Sequence, residues 1–179
     1  RSAVGYAHFV ACRMDRRWSL DAGCFSTDGQ TNQETAQTYG VVADRTYANW
    51  SSLLHAERGR LDAMLILSPT PAHHEMVLAC LQAGIPVICE KALAVNSEQA
   101  HDILRARDAS RGFLAVTYNY SGYPMVRELR RMISGGQLGK ILHFQVEMPQ
   151  EGFVRTDPQG HKPVPHSWRL TDGDVPTIY

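Results

Sequence analysis

The sequence predicts an α/β fold built on a parallel sheet, and three observations carry that prediction. Residues 63–67 form a continuous apolar run, the pattern of a strand covered on both faces. Beyond the polar turn Ser68-Pro69-Thr70, the residues Val77, Cys80 and Leu81 fall on one helical face. A second apolar run, residues 86–89, then stops on the charged pair Glu90-Lys91. Strand, crossover helix and strand in that order are what a parallel pair requires. In open parallel sheets, ligands bind beyond the carboxyl ends of the strands. Ser68, Thr70, Glu90 and Lys91 all belong to that edge, so the pattern predicts a ligand site as well as a fold.

The other elements follow in chain order. Ala3, Ala7, Val10, Ala11 and Met14 share a helical face by their spacing; in an α/β fold, a strand and a glycine-rich turn precede such a helix. Residues 18–25 read as a strand that ends in the turn Ser26-Thr27-Asp28-Gly29. Residues 31–39 are polar and only weakly helical, and residues 49–57 suit a short helix. Gly84, with Pro86 two residues beyond, stops the crossover helix. Asn96 and Gln99 resemble a capping box ahead of a helix carrying Ala100, Ile103, Leu104 and Arg107. Residues 113–117 read as another buried strand.

The pattern then changes. Val126, Leu129 and Ile133 mark a helix stopped by Gly135-Gly136. From Leu142 the chain alternates, with Phe144, Val146 and Met148 apolar between His143, Gln145 and Glu147. Period two predicts a sheet with one buried face. A domain boundary is expected near residues 118–121, and residues 149–165, rich in proline, glycine and charge, read as a long loop. No internal repeat is visible.

Composition narrows the function classes. The 179 residues suffice for one domain plus part of another, and 44% are hydrophobic. Lysine plus arginine number 18, as do aspartate plus glutamate, so charge gives no case for nucleic acid or an anionic membrane as a partner. No apolar run approaches the roughly 20 residues of a membrane span. Cys12, Cys24, Cys80 and Cys89 form no C-x-x-C pair. Free, buried thiols in a reducing cytosol account for them, and a cytoplasmic protein is expected. Residue 1 is Arg and the last segment completes no element, so a chain cut at both ends is expected.

Several segments resemble one family. The run from Leu67 through Ser68, Pro69, Thr70, Pro71 and Ala72 to His73 is similar to the T-P-N-x-x-H segment of the Gfo/Idh/MocA oxidoreductases. The run from Ala83-Gly84 through Glu90-Lys91 to Ala92-Leu93 resembles their A-G-x-x-V-x-x-E-K-P-L segment. Val116-Thr117-Tyr118-Asn119-Tyr120 resembles the strand end that closes their nucleotide-binding domain, and Leu138-Gly139-Lys140-Ile141 the start of their substrate domain. Ser167-Trp168-Arg169 resembles their W-R element.

The resemblance implies a Rossmann-type, doubly wound parallel sheet over residues 1–119. Residues 120–179 then begin an α+β substrate and oligomerisation domain with a mainly antiparallel open sheet. It implies hydride transfer between NAD or NADP and a sugar, inositol or related polyol, in a homodimer or homotetramer. Ser2, Ala3, Val4 and Gly5 match the tail of the phosphate loop, with His8 just after, and the helix N-terminus favours the pyrophosphate. Ser26 matches the position that meets the adenosine ribose; it is neutral, with Asp28 two residues on, so NAD and NADP both stay open. The cofactor-binding set implied is Ser2, Ala3, Val4, Ser26, Ser68, Pro69, Thr70, His73, Glu90, Lys91, Asn119, Trp168 and Arg169. Two departures stand out. Ala92 occupies the family's usual proline position, where a non-proline residue makes a cis bond costlier. The family's later Asp and His fall beyond Tyr179.

Oxidising a secondary alcohol needs a hydride acceptor, which nicotinamide supplies, and a group that takes or holds the hydroxyl proton. Lys91 is the catalytic candidate for the second role; the plain alternative is a surface Glu-Lys pair. His73 is either a nicotinamide-side contact or a structural cap. Adjacent His73-His74 lack the H-x-x-x-H spacing of a metal pair, and no metal is expected. Asn119 suits a hydrogen bond to cofactor or substrate, Tyr118 and Tyr120 suit interdomain packing, and Trp168-Arg169 form either a substrate wall or a loop anchor. The other functional class is a non-catalytic NAD(P)-binding sensor or regulator of the same fold. Ala92 speaks for it, while Glu90 and Lys91 speak for the dehydrogenase.

Overall fold

The computed structural model describes residues 3–149 and 154–164. The chain divides into two compact units between Val116 and Thr117.

The first unit is organised by the parallel pair. Strand β1 (Met64–Ile66) lies beside β2 (Val87–Glu90) with Met64 opposite Val87 and Ile66 opposite Cys89. The crossover between them is α4 (His73–Gln82), and the third strand, β3 (Leu114–Thr117), flanks β2 on its other side. The core gathers Ile66, Val77, Cys80, Leu81, Val87, Cys89 and, from α5 (Ser97–Ser110), Ile103. The face expected for α4 is therefore the buried one. Its end is closed as the sequence suggests: Gly84 takes φ 74°, and the Ile85 N–H reaches back to the Cys80 carbonyl at 3.0 Å. Leu104, expected on the inner face of α5, is exposed, while Ile103 and the half-buried Ala106 make the contact with the core. At the start of α5, Asn96 caps the Gln99 N–H, but Gln99 reaches the Val95 N–H, so the box is not reciprocal.

Helix α1 (Ala3–Arg13) forms where expected but turns another side inward. Ala3, Ala7, Val10, Ala11 and Met14 are exposed, while Gly5, His8, Phe9 and Cys12 are half-buried. Aromatic area decides the matter: Phe9 stacks on Tyr39 at 4.4 Å between ring centroids, and Tyr39 meets Phe25 edge-on. The polar segment at residues 31–39 is a full helix, α2 (Gly29–Tyr39), held by its ends. Asp28 accepts from the Thr31 N–H, and Gly40 closes the helix with φ 76°. Helix α3 (Trp50–Ala56) begins at the cap Asn49.

The strand predicted at residues 18–25 is not formed. Gly23 makes a single parallel bridge with Thr46, Trp18 is exposed, and the Phe25 N–H donates to the side chain of Asn32 rather than to a neighbouring strand. One rung does not make a ladder. The segment is held instead by polar clamps. Buried Asn32 takes the Phe25 N–H on its oxygen and gives its amide to the Tyr47 carbonyl. Fully buried Glu57 receives two bonds from Arg45 and one from the Tyr47 hydroxyl, with Arg60 at 3.7 Å. These donors hold its carboxyl down at about 2.

The second unit begins with a 3-10 turn, Asn119–Gly122, followed by α6 (Pro124–Ser134), which stops at Gly135. The alternating strand predicted from Leu142 is a correction. Residues 141–149 carry no strand, and Leu142, Phe144, Val146 and Met148 are all exposed. Alternation states which side chains would share a face. A strand also needs a neighbour for its N–H and C=O groups, and none lies beside it among the described residues. The open antiparallel sheet expected after residue 120 is therefore not formed among the described residues.

Candidate functional site

The in-register pairing of β1 and β2 brings two turns to one sheet edge: Ser68–Thr70 after β1, and Glu90–Lys91 at the end of β2. The turn after β1 is compact. Pro69 leads into a 3-10 turn, Thr70–Ala72, that feeds α4 without a break. Thr70 is buried, Ser68 is half-buried with its hydroxyl 3.3 Å from the Met76 sulfur, and Pro69 is exposed.

His73 joins the two turns. Its ring is fully buried, with Nε2 2.7 Å from the Ser68 carbonyl oxygen and Nδ1 2.7 Å from the Ala92 carbonyl oxygen. The side chain is thus occupied by backbone at both ends and acts as a tie between loops. Lys91 is exposed, although the sequence placed it at the end of a buried strand, and the peptide between it and Ala92 is cis. Its backbone N–H donates to Oε2 of Glu90.

Glu90 brings in a third element. Its Oε1 lies 2.9 Å from Nε2 of His8, and both side chains are largely covered. Helix α1 is thereby attached to the same sheet edge, with Ala3 and Val4 exposed in its first turn. Those two residues offer N–H groups at a helix N-terminus, a natural seat for an anion. The His8–Glu90 pair has no signal in spacing, because 82 residues separate its members. Ser26 is half-buried at the end of the segment before α2, and its hydroxyl accepts the Asp28 N–H at 3.1 Å. The Thr31 bond holds the exposed Asp28 carboxyl below its ordinary range, so an anion stands two residues beyond Ser26.

Asn119 opens the 3-10 turn of the second unit and is exposed, as are Tyr118 and Tyr120. Ser2, Trp168 and Arg169 lie outside the described residues. A surface groove of about 570 Å³ is lined by Phe9, Arg13, Trp18 and Tyr39 among others and includes neither Ser68 nor Lys91. Among the described residues, no three His, Cys, Asp or Glu side chains converge as metal ligands do, and no helix is long and apolar enough to cross a membrane.

Known proteins are similar to this chain in sequence and fold. The sequence model of the oxidoreductase family with an NAD-binding Rossmann fold, GFO_IDH_MocA, matches residues 2–118. An uncharacterized oxidoreductase of Bacillus subtilis, YfiI, is 32% identical over 173 residues, which is 94% of this chain and 44% of that protein. An inositol 2-dehydrogenase of Pseudomonas savastanoi is 34% identical over 182 residues, covering 97% of this chain and 53% of that one. The chain thus spans about half the length of these relatives. A solved inositol dehydrogenase homolog from Azotobacter vinelandii, complexed with NADH and myo-inositol, superposes with a TM-score of 0.73 at 31% identity. It covers 78% of this chain and 38% of its own.

Proposed function

Because this chain belongs to the Gfo/Idh/MocA oxidoreductase family, with its NAD-binding Rossmann fold, we propose that the protein oxidises a polyol, an inositol or a related sugar, with NAD or NADP as hydride acceptor. The observation that carries this reading is the three-way junction at the sheet edge. There the Ser68 turn, the Glu90-Lys91 end of β2 and the start of α1 are tied by His73 and by the His8–Glu90 pair. The residues present suit a dinucleotide: helix N–H groups for its phosphates, and a compact polar turn beside an exposed lysine. The inositol 2-dehydrogenase relative and the neighbour complexed with NADH and myo-inositol support the choice of substrate class.

Each group has a distinct task. A bound nicotinamide dinucleotide supplies the hydride acceptor. Ala3 and Val4 hold its phosphate end, and Ser26 with Asp28 meet its ribose. Ser68, Pro69 and Thr70 form the wall on the β1 side. Lys91 takes the hydroxyl proton of the alcohol or holds its oxygen as the carbonyl forms. Glu90, braced by His8, fixes where the lysine leaves the strand. Asn119, Trp168 and Arg169 are proposed as further cofactor-binding residues. In this reading residues 1–119 form the nucleotide-binding domain and residues 120–179 begin the domain that carries substrate specificity. The intact protein works in the cytoplasm as a homodimer or homotetramer.

The test is a hydride-transfer assay of the intact protein with NAD, NADP and a panel of inositols and sugars. Lys91→Ala is expected to lower kcat by about 100- to 10,000-fold while leaving the dinucleotide Kd within about threefold. Unchanged turnover removes Lys91 from the mechanism. Tight dinucleotide binding with no polyol oxidised and no ketose reduced favours the sensor or regulator.

A further inference from the structure

We propose that His73 is a positioning residue whose ring, carrying a proton on both nitrogens, clamps the Lys91 turn to the Ser68 turn; this rests on the dehydrogenase reading above. The argument is one of donor counting. Both partners of the ring are backbone carbonyl oxygens, at 2.7 Å each, and a carbonyl oxygen only accepts. A neutral imidazole has a single N–H. With one, the second contact sets a nitrogen lone pair against an oxygen lone pair at 2.7 Å, in a site with no water access to the fully buried ring. Two donors resolve both contacts, and charge-assisted bonds to two carbonyls offset the burial of the cation.

A helix cap needs only one such bond. The second runs to Ala92, 19 residues along the chain and directly after the proposed proton acceptor. The ring therefore controls where Lys91 starts, while its own nitrogens stay out of reach of cofactor and substrate.

Other charges lie around the clamp. On α4 and α5, His74 lies 3.4 Å from Asp102, and Glu75 is exposed. At the end of β2, Glu90 pairs with His8 of α1, and Lys91 is exposed. Both ring nitrogens of His73 meet carbonyls, so the ring's own proton count decides whether the clamp is closed.

The experiment reads the ring directly. Long-range ¹H–¹⁵N spectra of the intact, cofactor-free protein are expected to show two exchange-protected ring N–H signals for His73. A single ring N–H overturns the clamp. His73→Gln, which cannot span both carbonyls, is expected to lower kcat at least about tenfold with dinucleotide Kd within about threefold. A His73→Gln protein with wild-type kcat overturns the positioning role. If wild-type protein neither binds dinucleotide nor turns over, the dehydrogenase reading fails, and the spectra still decide the clamp.

Discussion

At the scale of single residues, the first unit depends on a few buried polar groups that no periodicity reveals. Glu57 sits wholly out of water, and its carboxylate is matched by Arg45, Tyr47 and Arg60. Removing the carboxylate strands the guanidinium, so Glu57→Ala should cost roughly 3–5 kcal/mol, read as a shift in the urea midpoint. The same group sets an acid limit. Its folded value near 2 lies below the ordinary 4.5, so its stabilisation is complete above pH 4.5 and is lost as pH falls through the range to 2. The loss is on the order of 3 kcal/mol, measurable as an acid unfolding limb that Glu57→Gln lacks. Thiols give a second test at this scale. Burial pushes Cys80 up to about 11 and Cys89 to about 12, and raises Cys24 more modestly. Alkylation of native protein at neutral pH should label neither Cys80 nor Cys89, and brief urea treatment should expose both. Modification of Cys89 under native conditions would contradict its place in the core.

At the scale of elements, local chemistry explains most starts and stops. Asp28, Asn49 and Asn96 each cap a helix by accepting an N–H two or three residues inside it. Helix α5 ends less comfortably, on Arg111 with φ 53°. A side chain there costs about 1–2 kcal/mol, partly offset because glycine loses more freedom on folding. Arg111→Gly should therefore raise stability by up to about 1 kcal/mol; a clear loss would mean that the arginine makes a contact worth more than the strain. The two missed strands teach the same lesson from opposite directions. Residues 18–25 have apolar side chains but one ladder rung, and residues 142–148 have perfect alternation but no strand beside them among the described residues. The sequence showed which side chains could share a face. It did not show whether a neighbour would supply hydrogen bonds.

At the scale of the molecule, the chain is a Rossmann-type α/β unit followed by a second compact unit. A dinucleotide that binds only the folded form stabilises it by about 2.7 kcal/mol at a hundredfold excess over Kd. NAD or NADP at that excess should raise the melting temperature of the intact protein by more than about 5 °C. Comparing the two dinucleotides gives the discrimination that neutral Ser26 beside Asp28 leaves open. No shift with either would remove the nucleotide reading.

Local patterns along the chain specify the order β1, α4, β2, α5, β3, the caps and glycine stops between them, and the polar turns at the strand ends. These depend on spacing within a few residues, where backbone hydrogen bonds and side-chain period act. The sequence also nominated Ser68, His73, Glu90 and Lys91 for one site. Only the tertiary structure decided how they are joined: His73 to Ala92 across 19 residues, His8 to Glu90 across 82, and Phe9 rather than the alanine stripe as the covered side of α1. Those choices are made by packing and by the need of each buried polar atom for a partner. Such a partner is found in space, and its distance along the chain is unconstrained.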